Sequence, residues 1–169
     1  MDVFEAVKTV LAVRSYEKEP IPSEVVAQIV EAGRLTGSSM NRQPWHFVVV
    51  ENRETLSRLG NLARSGPYIA EAPLAIAVAI EKESIYGVSD ASRAIQSMVL
   101  TAWGAGVGSN WVGFKNLSEV AALLAVPDSF ELLAVLSFGY PTRDLGKGKK
   151  QRKPLGTIAS REKFGQPFE

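Results

Sequence analysis

The sequence predicts an α+β fold, and three observations carry that expectation. Apolar runs of strand length stand at Phe47 to Val50, Leu74 to Ile80 and Leu132 to Phe138. Helical segments near Glu54 to Ala63 and Asp90 to Ala105 lie between them. A chain of 169 residues with 46% hydrophobic content can fill one core and is too short for two ordinary domains, so residues 1–169 read as one domain.

From the N-terminus, Asp2 can cap a helix in which Val3, Phe4, Val7, Val10 and Leu11 recur at helical spacing, leaving Glu5, Lys8 and Thr9 more exposed. That helix is expected to end near Val13 or Arg14. An extended segment from Tyr16 to Pro22 follows, and Ser23 and Glu24 open a second helix with Val25, Val26, Ile29 and Val30 as its stripe. Gly33 and Gly37 mark its weakening end. Ala91 to Ala105 is small and apolar around most of its circumference, which suits burial in the centre of an assembly or in the core of one monomer. Gly106 to Phe114 reads as a short strand bounded by close backbone approaches. Ser118 and Glu119 start a short helix, and Pro127-Asp128 breaks the chain before the last core strand. From Thr142 to Glu169 there is little apolar periodicity and much charge, the pattern of a disordered tail or of one that wraps another subunit.

Composition narrows the chemistry. Formal net charge is +1, from 19 basic and 18 acidic residues, so no global field points to nucleic acid or an anionic membrane. Cysteine is absent, which removes disulfides and thiolate chemistry, and the single histidine, His46, cannot build a histidine cluster. His46 and the tryptophans Trp45, Trp103 and Trp111 read as structural or interface residues. With no apolar run near the ~18 residues of a membrane span and no leader pattern, the chain is expected to be soluble and cytoplasmic. No GxSxG, HExxH or Walker pattern is present, and Gly106, Gly108 and Gly113 have the wrong spacing for a dinucleotide fingerprint. Reactivity is most simply borrowed from a cofactor.

The loop Ser38 to Phe47 is the clearest candidate site, because it sets amides, hydroxyls and a rigid Pro44-Trp45 corner directly against a strand. The amides of Asn41 and Gln43 each offer a donor and an acceptor, which can match the alternating edge of a flavin pyrimidine ring. Taken with Tyr16 to Pro22 upstream and Gly106 to Gly113 downstream, the loop resembles the nitroreductase family of flavin mononucleotide (FMN) enzymes, and the likeness runs from Met1 to about Pro154. The resemblance implies a sandwich with a central mixed or antiparallel sheet flanked by helices, an intertwined homodimer, and a tail at residues 142–169 that wraps the partner subunit.

The site residues it implies are specific. Arg14 falls on the last basic position of the family's first motif, near N1 and the C2 carbonyl of the isoalloxazine, where a guanidinium would stabilise negative charge on the ring. Val10, Leu11 and Ala12 stand where the family has two basic residues and a serine on the FMN phosphate. Lys150 and Arg152, ahead of Pro154, match a basic pair assigned to that phosphate, with Lys147, Lys149 and Lys153 adding positive field. Ser38, Ser39 and Asn41 face the flavin across the dimer interface, Met40 tightens the pocket and Gln43 supports the loop. Trp111, Val112 and Gly113 bring backbone N–H groups to N5 and O4, and Asn61 is a further contact at the ring edge.

The implied activity is hydride transfer from NADH or NADPH through flavin N5 to nitroaromatics, quinones or similar flat acceptors, in ping-pong order. The short stretch from Pro73 to Asp90 leaves little chain for covering helices, so an open, permissive pocket is expected. Flavin-dependent dehalogenation and flavin destruction share the resembled fold. The alternative reading is a protein of this fold whose weakened or lost FMN site, through Val10, Leu11 and Ala12, leaves it a flavin-binding or interaction protein.

Overall fold

The computed structural model describes residues 1–113, 117–143, 145 and 150–168. In chain order the elements are α1 (Val3–Thr9), α2 (Ser23–Arg34), β1 (Trp45–Val50), α3 (Arg53–Leu62), β2 (Leu74–Glu81), α4 (Gly87–Gly104), β3 (Gly108–Val112), α5 (Leu117–Leu123) and β4 (Phe130–Gly139). The four strands form one antiparallel sheet in the order β1-β2-β4-β3.

Period two in β2 builds the layers. Leu74, Ile76, Val78 and Ile80 join Ile95 and Met98 of α4 and Ile29 of α2 in one core, while Ala75, Ala77 and Ala79 join Leu56 and Leu59 of α3 and Val120 of α5 in the other. Large side chains fill one face of the sheet and alanines let α3 and α5 approach the other. Each fully buried Ile or Leu contributes roughly 1.5–3 kcal/mol. On the first face, α2 meets α4 at Gly33, where an added Cβ would come within 2.2 Å of Met98 Cε.

The predicted strands and helices appear with shifted ends, and α1 differs most. It stops at Thr9, well before Val13 or Arg14. Residues 10–16 are instead extended and pair with the sheet: Ala12 bridges Ser109 in parallel, Val13 N donates to Ser109 O at 2.9 Å, and Tyr16 bridges Pro141. The free edge of β3 outcompetes another helical turn built on β-branched Val10 and Val13. The expected apolar stripe of α1 also points outward. Val3, Phe4 and Val7 are exposed, whereas Ala6 is buried and Glu5 and Thr9 are partly buried.

On α4 the buried face carries Ala91, Ala94, Ile95, Met98 and Ala102, and Ser89, Arg93 and Gln96 are exposed on the other, so the helix is less apolar all round than expected. The described part of the tail is largely exposed, with a 3-10 turn at Leu155–Thr157 and a bridge from Ser160 to Pro167. Among the described residues no helix is long and apolar enough to cross a membrane. Phe114, Lys147 and Lys149 lie outside the described residues.

Candidate functional site

The loop between α2 and β1 is held in an unusual backbone shape. Met40, Asn41 and Gln43 have φ of 51°, 55° and 52°. Left-handed backbone costs L-residues other than Asn or Asp of order 1–3 kcal/mol each, and such outliers cluster at ligand sites. Besides backbone bonds, three side-chain hydrogen bonds among the described residues hold it: Gln43 N donates to Ser38 Oγ at 2.9 Å, Gln43 Nε2 to Asn41 O at 3.2 Å, and Ser39 N to Asp90 Oδ2 at 3.0 Å. Ser38 and Ser39 are half-buried, while Met40, Asn41 and Gln43 present their side chains to solvent.

Asp90 was not singled out by the sequence. It is 1% exposed, ion-paired with Arg93, and sits near the start of α4. The available signal was an acid on the buried face of a helix otherwise small and apolar.

At the other end of α4, Trp103 Nε1 donates to Thr9 Oγ1 at 2.9 Å and fixes α1. Lys150 Nζ donates to Val7 O, in the last turn of α1, at 2.6 Å. Burial, then the neighbouring Arg152 charge, holds the Lys150 ammonium below the usual lysine range. Arg152 is exposed and donates to Gln151 O. Arg14 lines a cavity of about 300 Å³ whose opposite wall is Pro141, Thr142 and Arg143. The Tyr16 to Pro141 bridge and the bond from Thr142 N to Ser15 O, 3.3 Å, join the two walls. Nothing in the local sequence marks Arg143, because only this long-range pairing sets it beside Arg14.

Trp111 lies half-exposed on β3 and Val112 is buried. Ser109 turns its carbonyl outward to Val13. By the alternation of the ladder, Trp111 and Gly113 point backbone groups to the same outer edge while Val112 turns toward β4. Gly113 has close backbone neighbours, since an added Cβ would lie 2.9 Å from Leu133 O. Asn61 is exposed near the end of α3 with no side-chain hydrogen bond among the described residues, and the chain just past it packs Gly66 on Val112. His46 is exposed, with its ring edge-on to Phe130.

Apart from Trp111, Val112 and Gly113 at the end of β3, Asn61 on α3 and exposed Arg152, the candidate residues form two groups. Ser38, Ser39, Met40, Asn41 and Gln43 gather at the Asp90 end of α4; Arg14, Lys150 and the end of α1 gather at the Trp103 end. From Asp90 to Trp103 the helix rises about 20 Å at roughly 1.5 Å per residue. One chain does not bring the two groups together.

Known proteins share this arrangement of elements. The family model described as "Nitroreductase family" matches residues 11–86 and 63–140. A protein of Methanothermobacter thermautotrophicus, provisionally named NADH dehydrogenase/NAD(P)H nitroreductase, is 33% identical over 154 residues, covering 86% of this chain and 81% of the relative. The FMN reductase [NAD(P)H] of Bacillus subtilis is 26% identical over 90% of this chain and 70% of its own length. A crystal structure from Bacteroides thetaiotaomicron, with the same provisional name as the Methanothermobacter protein, superposes with a TM-score of 0.87 at 25% identity, over 94% of this chain and 96% of that one. With the α+β sandwich, the amide-bearing loop and the sequence match agreeing along most of its length, the chain belongs to the nitroreductase family.

Proposed function

We propose that this chain is an NAD(P)H-dependent flavin oxidoreductase that holds FMN between two copies of itself. The observation that carries the reading is the family match, supported by a relative named FMN reductase [NAD(P)H] that aligns along 90% of the chain. The protein's own side chains offer little reactivity: it has no cysteine, and the described residues contain no group of three or more His, Asp or Glu that could hold a metal.

The donor chemistry fits a flavin. Exposed Asn41 and Gln43 amides and the Ser38 and Ser39 hydroxyls suit the polar edge of the ring, with Met40 as an apolar wall. The outward N–H groups of Trp111 and Gly113 suit the N5 and O4 side, beside buried Val112, and Asn61 is a further polar group near that strand end. Arg14, Lys150 and Arg152 bring positive charge to an otherwise apolar stretch at Val10, Leu11 and Ala12. When bound, FMN supplies the hydride chemistry, linking NADH or NADPH to a nitroaromatic, quinone or other flat acceptor in alternating half-reactions.

Two half-sites at opposite ends of α4 argue for a homodimer. Antiparallel packing of α4 on its copy about a two-fold axis brings the loop of one subunit to the Arg14 end of the other, giving two equivalent sites. Such a dimer also gives cover to exposed Val3, Phe4 and Val7 of α1 and to Leu155, Ile158 and Phe164 of the tail, which would wrap the partner.

The apolar Val10, Leu11 and Ala12 favour one second reading, a flavin-free interaction protein. A visible spectrum of the purified protein with and without FMN separates the two. Flavin peaks that bleach with NADH or NADPH are expected; no binding at about tens of micromolar FMN would establish the second reading instead.

A further inference from the structure

We infer that Asp90 is a positioning residue for the flavin: steadied by Arg93, its carboxylate fixes the left-handed backbone at Met40, Asn41 and Gln43 and so aims the loop's amides and hydroxyls at the ring. The inference rests on the flavin reading above and adds to it a residue that acts through the loop.

A carboxylate is out of place on this face of α4. Ala91, Ala94, Ile95, Met98 and Ala102 are its buried companions, and Asp90 is 1% exposed among them. An acid taken out of water costs stability unless its charge is paired and its oxygens are used, so an apolar side chain would serve packing better. Both oxygens are used here: Oδ1 accepts from Arg93 Nη2 and Oδ2 accepts from Ser39 N at 3.0 Å. Arg93 lies on the same helix and holds the carboxylate in place. The bond to Ser39, 51 residues away in sequence, is the one that leaves α4.

The loop depends on that bond. Among the described residues, the other hydrogen bonds of residues 38–43 end within residues 38–45: Asn41 N donates to Ser38 O at 3.0 Å, Arg42 N to Ser39 O at 3.1 Å, Gln43 N to Ser38 Oγ, Gln43 Nε2 to Asn41 O, and Trp45 N to Gln43 O at 2.8 Å. Only the Ser39 bond fastens this strained stretch to a distant element. With these backbone donors spent, side chains are what the loop offers a ligand. Serine and asparagine side chains are short, so their polar atoms move with the backbone that carries them. Two turns along α4, Ser97 Oγ and Thr36 Oγ1 share a hydrogen bond of 2.8 Å, which steadies the chain leading into the loop and leaves residues 39–43 to Asp90.

The test titrates the full-length protein with FMN and, separately, with riboflavin by visible absorbance, with circular dichroism and sedimentation at the same protein concentration. A loop that keeps its binding shape for only about a tenth of the time weakens the apparent dissociation constant about tenfold. We expect that loss in Asp90→Ala, equal for the two ligands because the loop serves the ring and not the phosphate. A smaller loss, about threefold, is expected in Asp90→Asn, whose amide oxygen still accepts from Ser39 N. If Asp90→Ala does not fold, Asp90→Asn and Arg93→Gln carry the test, each expected to bind both ligands about threefold more weakly than the parent. A merely structural role leaves both constants unchanged in every variant that stays folded in the parent's oligomeric state. That result overturns the inference, as does a loss confined to FMN or one that accompanies a change of oligomeric state, and in each case the flavin reading stands. If the parent binds neither FMN nor riboflavin, the flavin reading fails and the inference falls with it.

Discussion

Tyr16 ties its own extended segment to β4 through one hydroxyl. It donates to Val13 O at 2.6 Å and, with its proton so used, accepts from Ser137 Oγ at 2.7 Å. Burial pushes its pKa well above the ordinary tyrosine value, opposed in part by the Ser137 hydrogen bond. Because the folded value is raised, the stabilisation is fully present below about pH 10, where the unfolded tyrosine begins to ionise, and is lost as pH rises through the folded value. Stability should therefore fall above about pH 10, with this group contributing up to roughly 1.4 kcal/mol per pH unit. Tyr16→Phe should flatten that decline while costing about 1–3 kcal/mol near neutrality, since Ser137 and Val13 O lose their partner. Urea titrations from neutral pH to pH 11 test both, and equal slopes in the two proteins would contradict the assignment. The sequence marks Tyr16 as the start of an extended segment, but its partner Ser137 becomes visible only in the fold.

Elements were legible where one periodicity was strong. β2 and β4 read correctly because nearly every position in each is apolar, and α2 because Val25, Val26, Ile29 and Val30 share a face. α1 was overextended because Val10 and Leu11 continue a helical spacing, and helical spacing is silent about an open strand edge. The amides of the loop at Ser38 to Gln43 mark it in the sequence, whereas its left-handed backbone at Met40, Asn41 and Gln43 appears only in the fold and its tether to α4 needs Asp90 far along the chain. Asp90→Ala should leave Arg93 and Ser39 N without their partner. We expect a stability loss of about 1–3 kcal/mol in denaturant unfolding and faster hydrogen exchange at Ser39, with Asp90→Asn milder. Unchanged exchange at Ser39 would mean that the loop holds its shape without α4.

At the scale of the whole molecule, the exposed apolar face of α1 and the two half-sites of α4 make the proposed dimer testable. A pair of substitutions, Phe4→Asp and Val7→Glu, places charge on surface the dimer covers and leaves the buried Ala6 side of α1 intact. Sedimentation should show the parent as a dimer and the variant as a monomer at micromolar concentration, with flavin retention falling in step. A parent that sediments as a stable monomer removes the dimer, and with it the shared site.

The order and type of most elements, the lack of a reactive side-chain constellation, and the polar loop before β1 follow from the sequence by itself, since each is written in local periodicity and residue chemistry. Three features belong to the tertiary structure alone: the pairing of residues 12–13 with β3, the placement of Arg143 across from Arg14, and the separation of the candidate residues to the two ends of α4. Backbone hydrogen bonds between distant segments set the first two and helix length sets the third, and no local pattern of side chains records either.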